Sequence, residues 1–202
     1  MRLAPCLFTA GLFLVAVPAA RADEKSGVNE EGFLQKWLVL APFPLGTTES
    51  GAGGLDREVV KDEAKLKPKA GDKVKVEDKE VAWKETTAKD HLLDFNAFLG
   101  AQTEDAIGYA VTYVTAPEEM SVKMKTGSDD QCKVWLNGKE VFKFTDARPA
   151  DKDQDTTDVT LKKGLNVLVV KVVNEKIDWS FCVRFTDKDD KPITNLTSAT
   201  KE

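Results

Sequence analysis

Asp129 and Asp130 stand together in the polar stretch Thr126-Gly127-Ser128-Asp129-Asp130. Paired carboxylates at a loop end can accept hydrogen bonds from a polyol. The stretch reads as a turn, with Gly127 available for positive φ and the Asp side chains equally able to cap it. Trp135 follows closely. In a simple two-residue hairpin Val134 would pair with Val141, and Trp135, Phe142 and Phe144 would share the opposite face. Such an aromatic face can stack on a sugar ring, although aromatics at strand spacing are also the usual material of a core. Trp37, Trp83 and Trp179 read more simply as core. Arg148 could donate to ring or acidic oxygens of the same ligand.

The loop Asp151-Lys152-Asp153-Gln154-Asp155 places three carboxylates at alternate positions, which suits a hard cation such as calcium. It is no EF-hand. Thr156 stands where the sharp-turn glycine belongs, and Lys162 where the bidentate glutamate belongs. The alternative is a solvated acidic loop. His91 is the only histidine, so no histidine cluster can hold a metal. Ser50 lacks the preceding glycine of a nucleophile elbow. Gly51-Ala52-Gly53-Gly54 lacks the lysine of a phosphate loop and reads as a flexible loop. Asn195-Leu196-Thr197 is a glycosylation sequon, of consequence only in a eukaryotic host.

The elements that must position these residues are mostly strands. Gln35 to Phe43 is apolar on both faces, as a buried strand would be, and Pro42 and Pro44 end it. Leu55 to Leu66 is charged and fits a helical turn or an edge strand. Val74 and Val76, then Val81 and Trp83, suggest two strands around a charged turn. His91 to Phe98 reads as a strand entering a helical turn. Ile107, Tyr109, Val111 and Tyr113 alternate with small residues, and Met120, Val122 and Met124 alternate with polar ones. Asn137-Gly138 between apolar runs is the strongest short-range signal of a type I′ hairpin. Leu165 to Val173 is rich in β-branched residues and largely apolar in both parities, with Lys171 its one charge. Trp179, Phe181, Val183 and Phe185 make a last alternating strand. The expected fold is an all-β antiparallel sandwich with little helix.

Residues 1–22 read as a signal peptide. Arg2 precedes an apolar run from Leu7 to Val17, and Ala20-Arg21-Ala22 gives a small-residue cleavage site. The run is too short to span a bilayer, which takes about 20 residues. The mature chain would be exported, periplasmic or extracellular, with one domain over 23–193 and a frayed polar tail over 194–202. The net charge of −5 includes Arg2 and Arg21, so cleavage makes the remainder more acidic. No basic stripe appears, and the acidic balance excludes nucleic acid and anionic membrane surfaces as expected partners. Export permits a disulfide between Cys132 and Cys182. Cys132 is in phase with Val134 and Leu136, whereas Cys182 is out of phase with its apolar neighbours, so the two are expected to be separate thiols.

Several stretches carry a resemblance: Trp37-Leu38-Val39-Leu40-Ala41-Pro42-Phe43, Gly127-Ser128-Asp129-Asp130, Lys133-Val134-Trp135-Leu136-Asn137-Gly138-Lys139, Gly164 to Val172, and Trp179-Ser180-Phe181. Together they resemble the galactose-binding-like jelly-roll domains that accompany secreted glycoside hydrolases and occur in small exported bacterial proteins. The likeness covers nearly all of the chain after residue 22 and is strongest from Ala106 to Phe185. It implies architecture first. Members of that fold group bind sugars, hold calcium or serve structure alone. The expectation is a non-catalytic binding module for carbohydrate or another cell-surface polymer. Its site would be Asp129, Asp130, Trp135 and Arg148, with no required cofactor and possible calcium at Asp151, Asp153 and Asp155. The alternatives are a structural or assembly protein and a glycosidase-like enzyme, which would need two carboxyls about 5 to 9.5 Å apart.

Replacing Asn137 or Gly138 with Val should cost about 1–3 kcal/mol, because β-branched residues resist positive φ. Urea unfolding measures it, and an unchanged midpoint in both variants would mean a different turn.

Overall fold

A computed structural model describes residues 27–46, 50–76 and 79–202. The expected signal peptide, 1–22, lies outside the described residues. Two antiparallel sheets face each other. The larger has the order β4 (Lys84–Thr87), β1 (Lys36–Pro44), β6 (Ala106–Ala116), β11 (Gly164–Asn174), β8 (Cys132–Leu136), β9 (Lys139–Phe144), with β13 (Thr197–Ala199) also pairing with β6. The smaller has the order β10 (Asp155–Leu161), β7 (Met120–Asp129), β12 (Ser180–Thr186), β5 (Leu93–Asp94). From β6 to β12 the chain passes repeatedly from one sheet to the other, leaving only β8 and β9 as consecutive strands of one sheet. The all-β sandwich is therefore what forms. Among the described residues helix is confined to α1 (Gly51–Asp56), α2 (Phe95–Leu99) and a 3₁₀ turn at Glu63–Lys65.

Strand parity divides the apolar residues into two cores. In β6, Ala106, Ala110 and Val114 face the smaller sheet, while Ile107, Tyr109, Val111 and Tyr113 face outward. The inward face is small for a reason. A Cβ on Gly108 would lie 2.6 Å from Phe95 and 2.7 Å from Trp179, whose stacked rings have centroids 4.4 Å apart. In β11, Leu168, Val170 and Val172 point inward, and Val167, Val169 and Val173 outward. The outward core is buried too, because α1, the 3₁₀ turn and the hairpin β2 (Lys73–Val76) and β3 (Lys79–Ala82) cover it. This explains why Leu165 to Val173 is apolar in both parities.

Lys171 shares the outward parity and is 0% exposed. Its ammonium donates to the carbonyls of Leu55 (3.1 Å) and Arg57 (2.6 Å) and to Glu63 Oε2 (3.2 Å). Tyr109 donates its hydroxyl to the same carboxylate at 2.6 Å. Burial lowers the Lys171 pKa and raises that of Tyr109. An ammonium in this position needs every proton matched, and the segment 55–63 supplies the acceptors.

Four readings need correction. Gly51–Gly54 is no loop but the start of α1, capped by Ser50 Oγ accepting from Gly53 N at 3.1 Å. The Thr126–Asp130 stretch is no turn either. Thr126 to Asp129 is the end of β7, and Gly127 is needed for space, since a Cβ there would meet the Asp151 carbonyl at 1.8 Å. The polar tail is not frayed over Thr197–Ala199, where β13 buries Ser198 and joins its hydroxyl to that of Thr112 at 2.9 Å and to the Lys36 carbonyl at 3.1 Å. Finally, the β8–β9 register differs from a simple hairpin. Asn137 (φ 53°) and Gly138 (φ 82°) do form the expected positive-φ turn. Beyond it Trp135 pairs with Glu140 but Val134 pairs with Phe142, so Val141 is an extra residue. That bulge flips the parity. Phe142 and Phe144 therefore share the face of Val134 and Cys132, not that of Trp135. Cys132 and Cys182 are buried and unpaired, as their opposite phases imply.

Glu63→Ala should destabilise the fold by about 3–5 kcal/mol, since it strands the Lys171 charge in the core. Glu63→Ala with Lys171→Met should cost clearly less. Urea unfolding of both variants decides it, and a single variant as stable as the wild type would mean the ammonium finds water.

Candidate functional site

Asp129 ends β7, Asp130 follows it, and the two are buried to the same extent, yet they do different work. Asp130 is structural. Its Oδ1 accepts from Arg148 N at 3.2 Å and its Oδ2 from Glu175 N at 2.9 Å, tying two loops to the strand end. Burial raises its pKa while those donors oppose the rise. Asp129 is 7% exposed and lines a cleft of about 600 Å³. Burial, then the charges of Asp130 and Asp178, push its carboxyl up to about 7, against the pull of the Ala150 amide. At neutral pH it can therefore donate or accept a hydrogen bond.

The cleft lies on the flank where β4 of one sheet approaches β5 of the other. Thr86 and Thr87 form one wall, and Leu93, Asp94, Ala97 and Phe98 another. Pro149, Ala150, Asp178 and Ser180 close it around Asp129. Local sequence explains the placement. Asp94 caps α2 by accepting from Ala97 N at 2.9 Å, which starts the turn that presents half-buried Phe98. Asn96 spans the neighbouring loops, donating to the Ile177 carbonyl at 2.9 Å and accepting from Thr103 N at 2.8 Å. Ile177 beside the cleft is 64% exposed and has φ 64°, a left-handed conformation that β-branched residues resist. Strain of this kind concentrates at ligand sites.

The other expected site residues go elsewhere. Trp135 is 5% exposed in the outward core, with Lys133 Nζ 5.7 Å from its ring centroid. The larger sheet separates it from Asp129, so the two share no site. Arg148 lies 3.6 Å over the Phe144 ring, donates to the Ser128 carbonyl at 3.4 Å and pairs with Asp155. Its donors are thus committed within the fold. Asp153 pairs with Arg184, and Asp151 Oδ1 accepts from Lys152 N at 2.7 Å. The three loop carboxylates therefore turn to separate partners. Among the described residues no group of three or more His, Cys, Asp or Glu is placed to hold a metal ion. His91 packs against Phe33, with ring centroids 5.6 Å apart. Phe98 and Asp178 line the cleft, and Ile177 lies next to it in sequence, but none carries a sequence motif. Only the fold brings them to Asp129.

No protein-family model matches the chain, and a search of the curated proteins finds no match. Among the described residues no helix is long and apolar enough to cross a membrane.

The raised Asp129 carboxyl has a definite pH signature. Its folded pKa, about 7, exceeds the ordinary 3.8, so the folded state binds the proton more tightly than the unfolded state. Any stability this group withholds is absent below the unfolded value and grows as pH rises toward 7. Asp129→Asn keeps an acceptor for the Ala150 amide and removes the ionisation. The variant should therefore gain melting temperature relative to the wild type between pH 4 and pH 8. A constant difference across that range would show that Asp129 titrates normally.

Proposed function

We propose that this protein is an exported, non-catalytic binding module of the galactose-binding-like jelly-roll kind, holding a carbohydrate or another hydroxylated cell-surface polymer in the Asp129 cleft. The observation that carries the reading is Asp129 itself, a carboxyl with a raised pKa in a cleft that also holds Phe98. Phe98 offers an apolar ring face, Asp129 and Asp178 accept hydroxyl hydrogens, and the Thr86, Thr87 and Ser180 hydroxyls extend the polar wall. Export rests on the sequence of residues 1–22. Calcium is not needed in this reading, because Asp153 and Asp155 already have arginine partners.

One observation favours a second reading, a glycosidase-like enzyme. Asp129 and Asp178 share one cleft, and the Asp129 carboxyl is raised to about 7, as a general acid requires. Against it, Asp178 is exposed and has no hydrogen-bond partner among the described residues to fix its carboxylate.

A glycan array probed with the chain lacking residues 1–22, with and without calcium, tests the proposal. Binding to a defined set of saccharides is expected, unaffected by calcium and of modest affinity, because a shallow cleft buries little area. Phe98→Ala should abolish it with little change in the melt, and Asp129→Asn should weaken it. Absence of binding to every saccharide would overturn the reading, and release of reducing sugar from a bound one would favour the enzyme.

A further inference from the structure

The flank opposite the Asp129 cleft is also open. There β9, the edge of the larger sheet, approaches β10, the edge of the smaller. A second cleft of about 610 Å³ runs between them. This is within the range of small-molecule sites, roughly 300–1,000 Å³. Its floor is aliphatic: Val122, Leu136 and Val159 from the inner core, with half-buried Val141 beside them. Val141 is the bulge residue of β9, so the register shift that parts Phe142 from Trp135 also places a valine here.

The rim is cationic. Lys123, Lys139, Lys162 and Lys188 line it, against one carboxylate, Asp158. Lys123 is held by Asp190 at 3.1 Å, and Lys188 by its neighbour Asp189 at 3.2 Å. Lys139 and Lys162 are exposed and have no ion-pair partner among the described residues. In a chain of net charge −5, these two ammonium groups make the rim of an apolar floor locally positive. Among the described residues no aromatic ring lines this cleft, so none there offers the platform that a saccharide would stack on.

We infer that this second cleft binds a monomeric anionic amphiphile, a long-chain carboxylate, with its alkyl chain on the valine-leucine floor and its head between Lys139 and Lys162. The floor favours the chain because aliphatic surface gains by leaving water. The rim selects the sign of the head, and that selectivity is electrostatic and therefore weakened by salt. This inference is independent of the Asp129 cleft.

Calorimetric titration at low salt tests it, with dodecanoate below its micelle concentration and dodecyltrimethylammonium as the charge-reversed twin. Dodecanoate should bind at least about tenfold more tightly than the ammonium, and the gap should narrow in high salt. Lys139→Glu with Lys162→Glu should remove that preference, while Lys139→Gln with Lys162→Gln should reduce it and retain the wild-type melt. Asp129→Asn should leave dodecanoate binding unchanged. Equal affinity for both heads would overturn the inference, as would unchanged binding in both double variants. Binding to anionic vesicles without binding to monomeric dodecanoate would overturn it too, by pointing to a membrane surface.

Discussion

An ammonium group in the middle of a β-sheet, sealed from water, sets the terms for the rest of this molecule. Lys171 lies on β11, the strand flanked by β6 and β8, and its side chain points to the outward face. Its protons need acceptors, and the sheet has none to spare, since its own carbonyls serve the ladders. The end of α1 and the segment after it meet the need with two carbonyls and Glu63. A cap is thereby fixed over the outer face. Beneath it Tyr109, Tyr113, Trp83 and Trp135 are withdrawn from any ligand. The inner face is filled by the second sheet. The two flanks, where edge strands of different sheets approach without pairing, stay open. Both clefts lie there.

The sequence made the strands legible because half-buried and doubly buried strands leave distinct patterns, alternation in Met120 to Met124 and continuous apolarity in Leu165 to Val173. Asn137-Gly138 marked its turn for a backbone reason, since both residues tolerate positive φ. Lys171 stood out as the one charge in its run, but nothing local named Glu63 as its partner 108 residues away. The bulge at Val141 left no trace, because one inserted residue between apolar neighbours preserves the composition while reversing the faces. That reversal is why Trp135 and the two phenylalanines do not form one platform.

The candidate site was half legible. Asp129 was visible as a carboxylate beside another, while Pro149 and Ala150, which line its cleft, carried no signal. Asp130 and Arg148 were misjudged for a common reason. Each has the chemistry to meet a ligand, and each spends that chemistry on the fold, Asp130 on two backbone amides and Arg148 on Asp155 and Phe144. Sequence shows what a side chain can bond, whereas partners are assigned by tertiary structure. The short β13 escaped detection because its burial is secured by Ser198 and Thr112 hydroxyls, not by apolar side chains.

The place of β11 also has a kinetic consequence. It joins β6 to β8, which do not pair with each other, and it follows both in the chain. Until it inserts, the larger sheet is two separate pieces, each with an unpaired edge. Its partners in β6 are up to 68 residues distant, as Asn174 is from Ala106. Contacts of such separation are slow to form, because loop-closure entropy is lost before any pairing compensates it. Folding should therefore be a late, concerted event on the scale of milliseconds to seconds, about the usual range for sandwiches. During that interval the bare edges of β6 and β8 are the surfaces most open to aggregation, and a chaperone that shields unpaired strands would act there.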